Sequence, residues 1–526
     1  MPYSRSFLTR LVHDRRGNVL IIVAGAMAVL CFALGFGIDY SRAMKLQSKL
    51  NAAADAAALA AVNASMMQNS TSTAQQAATN MFNQQIAGLP GLIFNASTGL
   101  TVTVTTSGSL NNGRSATVTW QAASQNIFSG ILGRPSLNLS GVSSANATKA
   151  PYLNFYIMFD TSPSMLLPAT STGLSQIMAA TATTANPPYG CAFACHEMTP
   201  QSDGIDIRKG SNDIYLNANY YTSGATGYQV AYQVNSSSTT VWDLSGNVMS
   251  GYSFSSGKLH KSGSVVSGYY ADGYWLTHNY PTVYPGQSAI TLRIDEERSA
   301  AQALIPYAQQ MASANQVTYN MQMFGFDWTH SNLGAVSPVT ALTAMSDVNS
   351  LSASSVPDLY AAQDWWYANN KPTSSYSNSD MGTEFTNTLA KMLAIMPVPG
   401  DGSSKQSPQE VMFLVTDGMS DEGTSGGRWV RQLSTADLAQ CTLIKSKGIK
   451  IAILYTQYLP GSMTGDSWSQ SNVAPYLANV SPSLQSCASI GTDGSPLFYT
   501  VTTDQSISDA LVSLFALTVQ QSHLVQ

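Results

Sequence analysis

A continuous apolar run, residues 155–159, stops abruptly at Asp160, and Ser162 and Ser164 follow at alternate positions. Uninterrupted apolar runs of this length are typical of strands that are buried on both faces, as in a parallel sheet. Such a strand would bring three oxygen-bearing side chains to one place where the chain leaves the core. Because hard divalent cations prefer oxygen ligands, the pattern predicts half of a cation site at the end of a buried strand.

A second apolar run of the same kind, residues 411–415, ends in Thr416, Asp417 and Gly418. Open parallel sheets build their sites at the carboxyl ends of their strands, so we expect Asp160 and Asp417 to lie side by side. An Asp-x-Ser-x-Ser sequence can also be an ordinary turn, in which these side chains bond their own backbone. The second strand, which ends in Thr-Asp-Gly, favours the cation site.

These residues resemble the metal-ion-dependent adhesion site of the von Willebrand factor A domain. That pattern is Asp-x-Ser-x-Ser, then a distant Thr, then a distant Asp before Gly. Thr383, in the sequence Asp-Met-Gly-Thr-Glu-Phe, is the best candidate for the distant Thr, and Thr386 is a weaker one. The resemblance implies that the hydroxyls touch the metal directly, that the aspartates act largely through water, and that a partner's carboxylate completes the coordination. An oxygen-only set suits Mg²⁺ best, and Mn²⁺ or Ca²⁺ is also compatible.

The amino-terminal sequence predicts a membrane anchor. Residues 18–38 carry no charge, which is long enough to cross a bilayer. A cleavable signal peptide would have a shorter apolar core and a small-x-small cleavage site, whereas here a helical pattern continues beyond Asp39. We therefore expect a cytoplasmic tail at 1–17 and a transmembrane helix at 18–40. The arginines of the tail favour a cytoplasmic amino end, although three basic residues just beyond the span weaken that charge bias.

Composition excludes some classes of function. Only 10% of the 526 residues are charged and the net charge is −5, which agrees with an exported protein and offers no basic patch for nucleic acid. Asp160 lacks the second Asp of a haloacid dehalogenase-type nucleophile. Ser164 lacks the Lys of a Ser-x-x-Lys acylase, and Ser420 lacks the closing Gly of a nucleophile elbow. We expect a binding protein without a small-molecule substrate, not an enzyme.

The chain contains five cysteines, of which Cys31 lies inside the predicted membrane segment. An even set of four remains for the other side of the membrane: Cys191, Cys195, Cys441 and Cys487. In an oxidising compartment these would pair most simply as sequence neighbours, 191 with 195 and 441 with 487, although the sequence leaves other pairings open. The stretch 191–196 has one residue too many for the haem motif Cys-x-x-Cys-His, and its spacing suits zinc poorly.

The amino-terminal pattern of Gly17-Asn, the apolar span, Gly-Ile-Asp39-Tyr and an Ala-rich helix resembles TadG-like Flp pilus assembly proteins. Members of that family often carry a von Willebrand A domain with three further sequences: Ser-Pro-Ser-Met, Cys-Ala-Phe-Ala-Cys-His and Ile-Thr-Leu-Arg-Ile-Asp. These stand here at 162–165, 191–196 and 290–295.

The resemblance implies a single-pass protein of the bacterial inner membrane, with its bulk periplasmic or extracellular. Its expected role is in Flp/Tad pilus assembly, where the metal site binds other assembly or pseudopilin-like proteins. The alternative is an adhesin, anchored in the envelope, that binds an external ligand through the same site.

We predict an α/β fold with a doubly wound, mostly parallel sheet of the Rossmann-like von Willebrand A type over residues 151–526, with a β-rich insertion at about 188–288. The order of apolar runs predicts these elements: strands 152–160, 317–326, 410–416, 449–456 and 497–502, and helices 293–312, 385–396, 434–447 and 506–520. Residues 41–150 predict an Ala-rich helix followed by a small β region, which fits either a pilin-like subunit or a plain β spacer.

Overall fold

The computed structural model describes residues 18–523, except 108–111, 183–189, 191, 193–206, 218–229, 267, 272, 328–337, 360–381, 425–426 and 466. The described chain forms two compact units that divide between Lys149 and Ala150. The tail at 1–17 and both Cys191 and Cys195 therefore lie outside the described residues.

The amino-terminal unit begins with one continuous helix, α1 (Asn18–Ala61), which passes through two different environments. Its first part exposes large apolar side chains, such as Ile21 at 72% and Leu34 at 68%, whereas Leu50 and Ala54 further along are fully buried. Within the described chain, α1 is the helix that is long and apolar enough to cross a membrane. The exposed part is thus apolar without protein around it, and the second part packs in a protein core.

A small antiparallel sheet completes this unit. Its elements are α2 (Ala64–Met67), α3 (Thr71–Ile86), β1 (Leu92–Ile93), β2 (Leu100–Ser107), β3 (Gly113–Gln125) and β4 (Ser136–Thr148). β3 is central and pairs with the other three strands, while α1 and α3 cover the sheet. Phe82 of α3 and Trp120 of β3 are completely buried between these layers. The predicted helix and small sheet are therefore both present.

Asp39 of α1 holds the loop between β3 and β4. Its carboxylate accepts hydrogen bonds from the backbone N–H groups of Ile127, Phe128 and Ser129 at 2.7–2.9 Å, and from the Ser129 hydroxyl. Asp39 is only 3% exposed, so these four donors compensate the loss of water around the charge.

The second unit is built on a seven-stranded sheet. Its strands are β5 (Leu153–Asp160), β13 (Tyr319–Phe326), β14 (Val339–Ala341), β15 (Ser346–Asp347), β16 (Gln409–Thr416), β19 (Lys450–Thr456) and β20 (Phe498–Val501). The order β13-β5-β16-β19-β20 is parallel throughout, and β14 and β15 pair antiparallel with β13. The sheet is mostly parallel, as predicted, and its five parallel strands begin and end within two residues of the predicted bounds, whereas β14 and β15 were not predicted.

Helices cover this sheet in two groups. The helices of this unit are α4 (Ser171–Thr181), α5 (Gly273–Val283), α6 (Arg293–Asn315), α7 (Phe385–Ile395), α8 (Thr435–Ser446), α9 (Ser467–Asn472), α10 (Leu477–Cys487) and α11 (Ile507–His523). α6 packs against α11, whereas α7 packs against α8 and α8 against α10. From β5 the chain first moves along the sheet to β13 and then, in the opposite direction, to β16, β19 and β20. Since crossovers between parallel strands are right-handed, the two groups of helices lie on opposite faces of the sheet.

Small antiparallel sheets precede α5 and α6. They contain β6 (Arg208–Lys209), β7 (Asn212–Asn217), β8 (Ala231–Val234), β9 (Tyr252–Ser255), β10 (Lys258–Lys261), β11 (Ser264–Val266) and β12 (Gly268–Tyr270). Tyr215, Phe254 and Tyr270 form edge-to-face ring contacts at the centre of a separate small core. The predicted β-rich insertion thus has its own apolar cluster.

Cys441 and Cys487 form a disulfide between α8 and α10, one of the two pairs that sequence proximity predicts. Both sulfurs belong to side chains that are at most 1% exposed. The bond closes a loop with a sequence separation of 46 residues. Cross-linking a loop of this size restricts the unfolded chain and contributes about 4 kcal/mol in the chain-entropy model.

We expect the double substitution Cys441→Ala and Cys487→Ala to lower the free energy of unfolding by about 2–4 kcal/mol, because the unfolded chain regains the freedom that the bond removes. Urea denaturation of the full-length protein in detergent, without reductant, measures this change. An unchanged denaturation midpoint would show that the two helices need no covalent link.

Candidate functional site

The two predicted aspartates meet at the carboxyl ends of β5 and β16. These strands are neighbours, with Phe159 opposite Val415, so Asp160 and Asp417 follow paired positions. Neighbouring strands lie about 4.8 Å apart. From β5 the chain continues to its neighbour β13 and later returns to its other neighbour, β16. The boundary between β5 and β16 is therefore the switch point, where open α/β sheets place their sites.

Asp160 is fully buried and already holds two hydrogen bonds. Its Oδ1 accepts from the Ser162 backbone N–H at 3.0 Å, and its Oδ2 accepts from the Thr416 hydroxyl at 2.6 Å. Burial raises its pKa to about 8, and the negative charge of Asp417 adds to the rise. Each carboxylate oxygen keeps a lone pair that these bonds do not use.

Asp417 is also fully buried, and its position is held from several sides. Its Oδ1 accepts from the Met419 N–H at 3.1 Å and its Oδ2 from the Tyr458 hydroxyl. Burial raises the pKa of Asp417, while the positive charge of Arg293 lowers it. Tyr458 follows β19 and is a contact that sequence reasoning missed, because a lone tyrosine after a strand carries no motif.

Gly418 makes the turn after Asp417 possible. Its φ is +69°, a backbone conformation that residues with side chains rarely adopt. A Cβ at this position would lie 2.5 Å from Leu484 Cδ1 and 2.8 Å from Val480 Cγ1, both in α10. The sequence Asp-Gly therefore reflects a tight turn that aims the carboxylate along the end of the sheet.

The two serines of the loop after β5 lie next to the aspartates. The hydroxyls of Ser162 and Ser164 are 3.0 Å apart, and Ser164 also hydrogen-bonds Asp417. Ser162 is fully buried, whereas Ser164 is only partly buried. Among these four residues, Ser164 is therefore the one that faces the solvent.

Thr383 lies against the loop that follows Asp417. It forms an isolated β-bridge with Asp421, and the neighbouring Glu384 N–H donates to the Asp327 carbonyl just after β13. Thr383 is 3% exposed. The hydroxyl of the weaker candidate, Thr386, donates instead to Asp437 of α8 at 2.6 Å. The structure thus places Thr383 against the segment that follows Asp417 and turns Thr386 towards a different carboxylate.

Glu297 is a third buried carboxylate near the two aspartates, and it belongs to no sequence motif. It has no exposed surface, and neither of its oxygens has a hydrogen-bond partner. Burial raises its pKa well above the ordinary value, and the charges of Asp160 and Asp417 raise it further. A signal was present in the helical period, since Glu297 falls on the buried stripe of α6 with Ala300 and Leu304.

The donor set suits a hydrated divalent cation. Two carboxylates and two hydroxyls converge, all oxygen, which is the chemistry that Mg²⁺, Mn²⁺ and Ca²⁺ share. Within the described ranges, no three Asp, Glu, His or Cys side chains converge closely enough to hold a metal alone. A cation here would depend on the serine hydroxyls and on water.

A second carboxylate pair lies next to Thr386. Glu422, in the hairpin β17 (Ser420–Thr424) and β18 (Gly427–Arg431), is 3% exposed. Burial raises its pKa to about 8, and the charge of Asp437 raises it further. Asp437 accepts hydrogen bonds from the backbone N–H and the hydroxyl of Ser434, which is the N-cap residue of α8.

Comparison with known proteins gives a partial match. Residues 17–78 match the Tad family model, described as Flp pilus-assembly TadE/G-like. This segment covers all of α1, together with α2 and half of α3, and it supports a pilus-related protein of the Tad type. No curated protein matches the chain.

Solved structures resemble the chain only distantly. The pilus adhesin SpaC from Lactobacillus rhamnosus GG has 9% identity over 81% of this chain and 34% of its own, with a TM-score of 0.30. The same adhesin in its open conformation has 14% identity over 44% of this chain and 28% of its own, with a TM-score of 0.26. Proximal thread matrix protein 1 from the mussel byssus has 12% identity over 42% of this chain and 44% of its own, with a TM-score of 0.22. The chain spans about a third of the adhesin, and at such scores the likeness identifies neither a shared fold nor a shared function.

We expect Glu422→Gln to change how stability depends on pH. Since the pKa of Glu422 is about 8 in the folded protein and ordinary in the unfolded chain, the proton on Glu422 stabilises the fold at low pH. That stabilisation is lost as the pH rises from about 4.5 to about 8. The variant should melt near the wild type at pH 5 and a few degrees above it at pH 8.5, measured with chelator present. A difference in melting temperature that is the same at both pH values would contradict the prediction.

Proposed function

We propose that residues 151–526 form a von Willebrand factor A-type domain whose adhesion site binds a divalent cation, and through it a protein partner, in a Tad-type pilus assembly system. The observation that carries the proposal is the side-by-side placement of Asp160 and Asp417 at the switch point, with the hydroxyls of Ser162 and Ser164 next to them. We assign the domain no enzymatic activity.

The fold supports a von Willebrand A assignment at the level of strand order and site position. The central strand β5 carries the Asp-x-Ser-x-Ser loop, and the neighbouring strand β16 carries the Thr-Asp-Gly turn. Asp160, Ser162, Ser164, Thr383 and Asp417 are then the residues that would hold the ion. Mg²⁺ fits this all-oxygen set best, since it keeps part of its water shell when it binds protein.

The partner would supply a carboxylate. Ser164 is the partly exposed member of the site, so an acidic side chain would approach the ion from its side. The chemistry favours an acidic segment of another assembly or pseudopilin-like protein, with no role for nucleic acid or a small-molecule substrate. When bound, the cation would supply the positive charge that makes two fully buried aspartates attractive to a third acidic group.

The amino-terminal unit supports the cellular setting. The match of residues 17–78 to a pilus-assembly family coincides with the apolar, exposed part of α1. We place the chain as a single-pass protein of the bacterial inner membrane, with the residues that follow the membrane span outside the cytoplasm. The disulfide of the second unit agrees with this side of the membrane, because such bonds persist in oxidising compartments.

We expect Asp160→Asn to abolish cation-dependent capture of the partner. Asparagine keeps the size of the side chain and one oxygen acceptor, but it removes the charge that attracts the ion. Crosslinking in native membranes, followed by quantitative mass spectrometry, should recover a partner when Mg²⁺ is supplied. Recovery should fall at least about ten-fold with chelator or with the variant. A tenfold loss corresponds to about 1.4 kcal/mol of binding free energy.

Glu410→Gln is the matched control, because Glu410 is likewise a buried carboxylate. It lies at the amino end of β16, whereas Asp417 follows the carboxyl end of that strand. This variant should capture the partner as the wild type does. Equal recovery with and without chelator would remove the proposal. If Asp160→Asn instead retained pili and the assembly partners but lost attachment to surfaces, the adhesin alternative would replace it.

A further inference from the structure

Glu297 lies close to the cation site without belonging to its sequence pattern. The amino end of α6 is tied to the loop that carries the serines, since the Arg293 N–H donates to the Leu167 carbonyl at 3.0 Å. One helical turn later, Glu297 has no exposed surface. The helix therefore inserts a carboxylate into the core directly behind this loop.

Glu297 is buried without a hydrogen bond, although the positive charge of Arg293 acts on it. Arg293, one turn before it, donates Nη2 to the Gln457 carbonyl at 3.1 Å and stacks its guanidinium 4.7 Å above the Tyr458 ring. Tyr458 in turn donates to Asp417. Arg293 is thus engaged through Nη2 and its ring contact, whereas its Nη1 and both Glu297 oxygens have no hydrogen-bond partner.

A charge count gives this carboxylate a role. Ionised Asp160, Asp417 and Glu297 act on one another through the core, and Arg293 supplies the positive charge that acts on the last two. When all three carboxyl groups are ionised, three negative charges and one positive charge leave an excess of two, which one divalent cation would balance. Burying uncompensated charge is costly, so an ion with two positive charges would offset the charge of the three carboxylates.

We propose that Glu297 is a third carboxylate of the cation site, which balances the charge of the ion and accepts hydrogen bonds from its water ligands. This inference rests on the proposed function, because it assigns a further residue to the same site. Glu297 is a positioning residue: it holds the hydrated ion against Asp160 and Asp417 and leaves the side at Ser164 for the partner. It also distinguishes this chain from a site that needs only the five residues of the sequence pattern.

The test is Mn²⁺ binding to full-length protein in detergent, measured by electron paramagnetic resonance of free and bound Mn²⁺ after removal of metal by chelator. Glu297→Gln keeps the shape and removes the charge, so it should raise the Kd for Mn²⁺ at least about ten-fold. Without metal, the same variant should melt at or above the wild-type temperature, because it no longer buries a carboxylate without a partner. Glu297→Asp, which retains the charge, should bind Mn²⁺ more tightly than the Gln variant.

Two comparisons make the outcome decisive. Glu410→Gln, which removes a buried carboxylate from the opposite end of β16, should leave the Kd within about two-fold of the wild type. If wild type binds Mn²⁺, Asp160→Asn weakens it and Glu297→Gln does not, then Glu297 is a buried acid without a part in the site and this inference is wrong. If the wild type binds no Mn²⁺, the proposed function fails together with it.

Discussion

The parallel pairing of β5 with β16 places two carboxylates that are far apart in sequence at adjacent strand ends, inside the protein core. The register is set by apolar side chains along both strands, such as Phe155 and Phe413, which pack ring to ring with Phe515 of α11. A slip of two residues would preserve the buried faces but separate the acids, so the packing of these rings holds the site together. Apolar contacts thus set the positions of the two carboxylates, and other interactions must compensate for their burial.

Nearby hydrogen-bond donors compensate for the burial of the two aspartates. Asp160 accepts hydrogen bonds from a backbone N–H group and the Thr416 hydroxyl. Asp417 accepts them from a backbone N–H group and the hydroxyls of Tyr458 and Ser164. These bonds orient the two buried carboxylates but leave acceptor capacity on both of them. Glu297 has no such donors, and this difference separates it from the aspartates. Two acids are held by protein atoms, and the third faces them without a partner.

The sequence predicted the parts of this structure that depend on local composition. The apolar runs identified the main strands because strands buried on both faces cannot alternate polar and apolar residues. The disulfide between Cys441 and Cys487 could be predicted only as the simplest pairing. Glu297 was missed because a charged residue in an amphipathic helix is ordinarily assigned to the exposed face. Here the period of α6, continued back from Ala300, puts it on the buried face.

Apart from the proximity of Asp160 and Asp417, the contacts of individual side chains with distant segments could not be predicted from the sequence. Thr383 and Thr386 stand on the same short segment, and nothing in their spacing says that one would bridge Asp421 while the other bonds Asp437. That choice depends on where the β17–β18 hairpin lies relative to α7. Likewise, the role of Tyr458 follows from the position of β19 beside β16, which no local pattern of the sequence encodes.

The disulfide and the site are mechanically connected through α10. Gly418, which turns the chain after Asp417, has space for no side chain because Leu484 and Val480 of that helix press against it. The same helix ends at Cys487, whose bond to Cys441 ties it to α8. The wall under the Asp417 turn is therefore covalently fixed only where thiols are oxidised. Motion of α10 in a reducing compartment would reach the Asp417 turn, because Leu484 and Val480 leave no room for a side chain at Gly418.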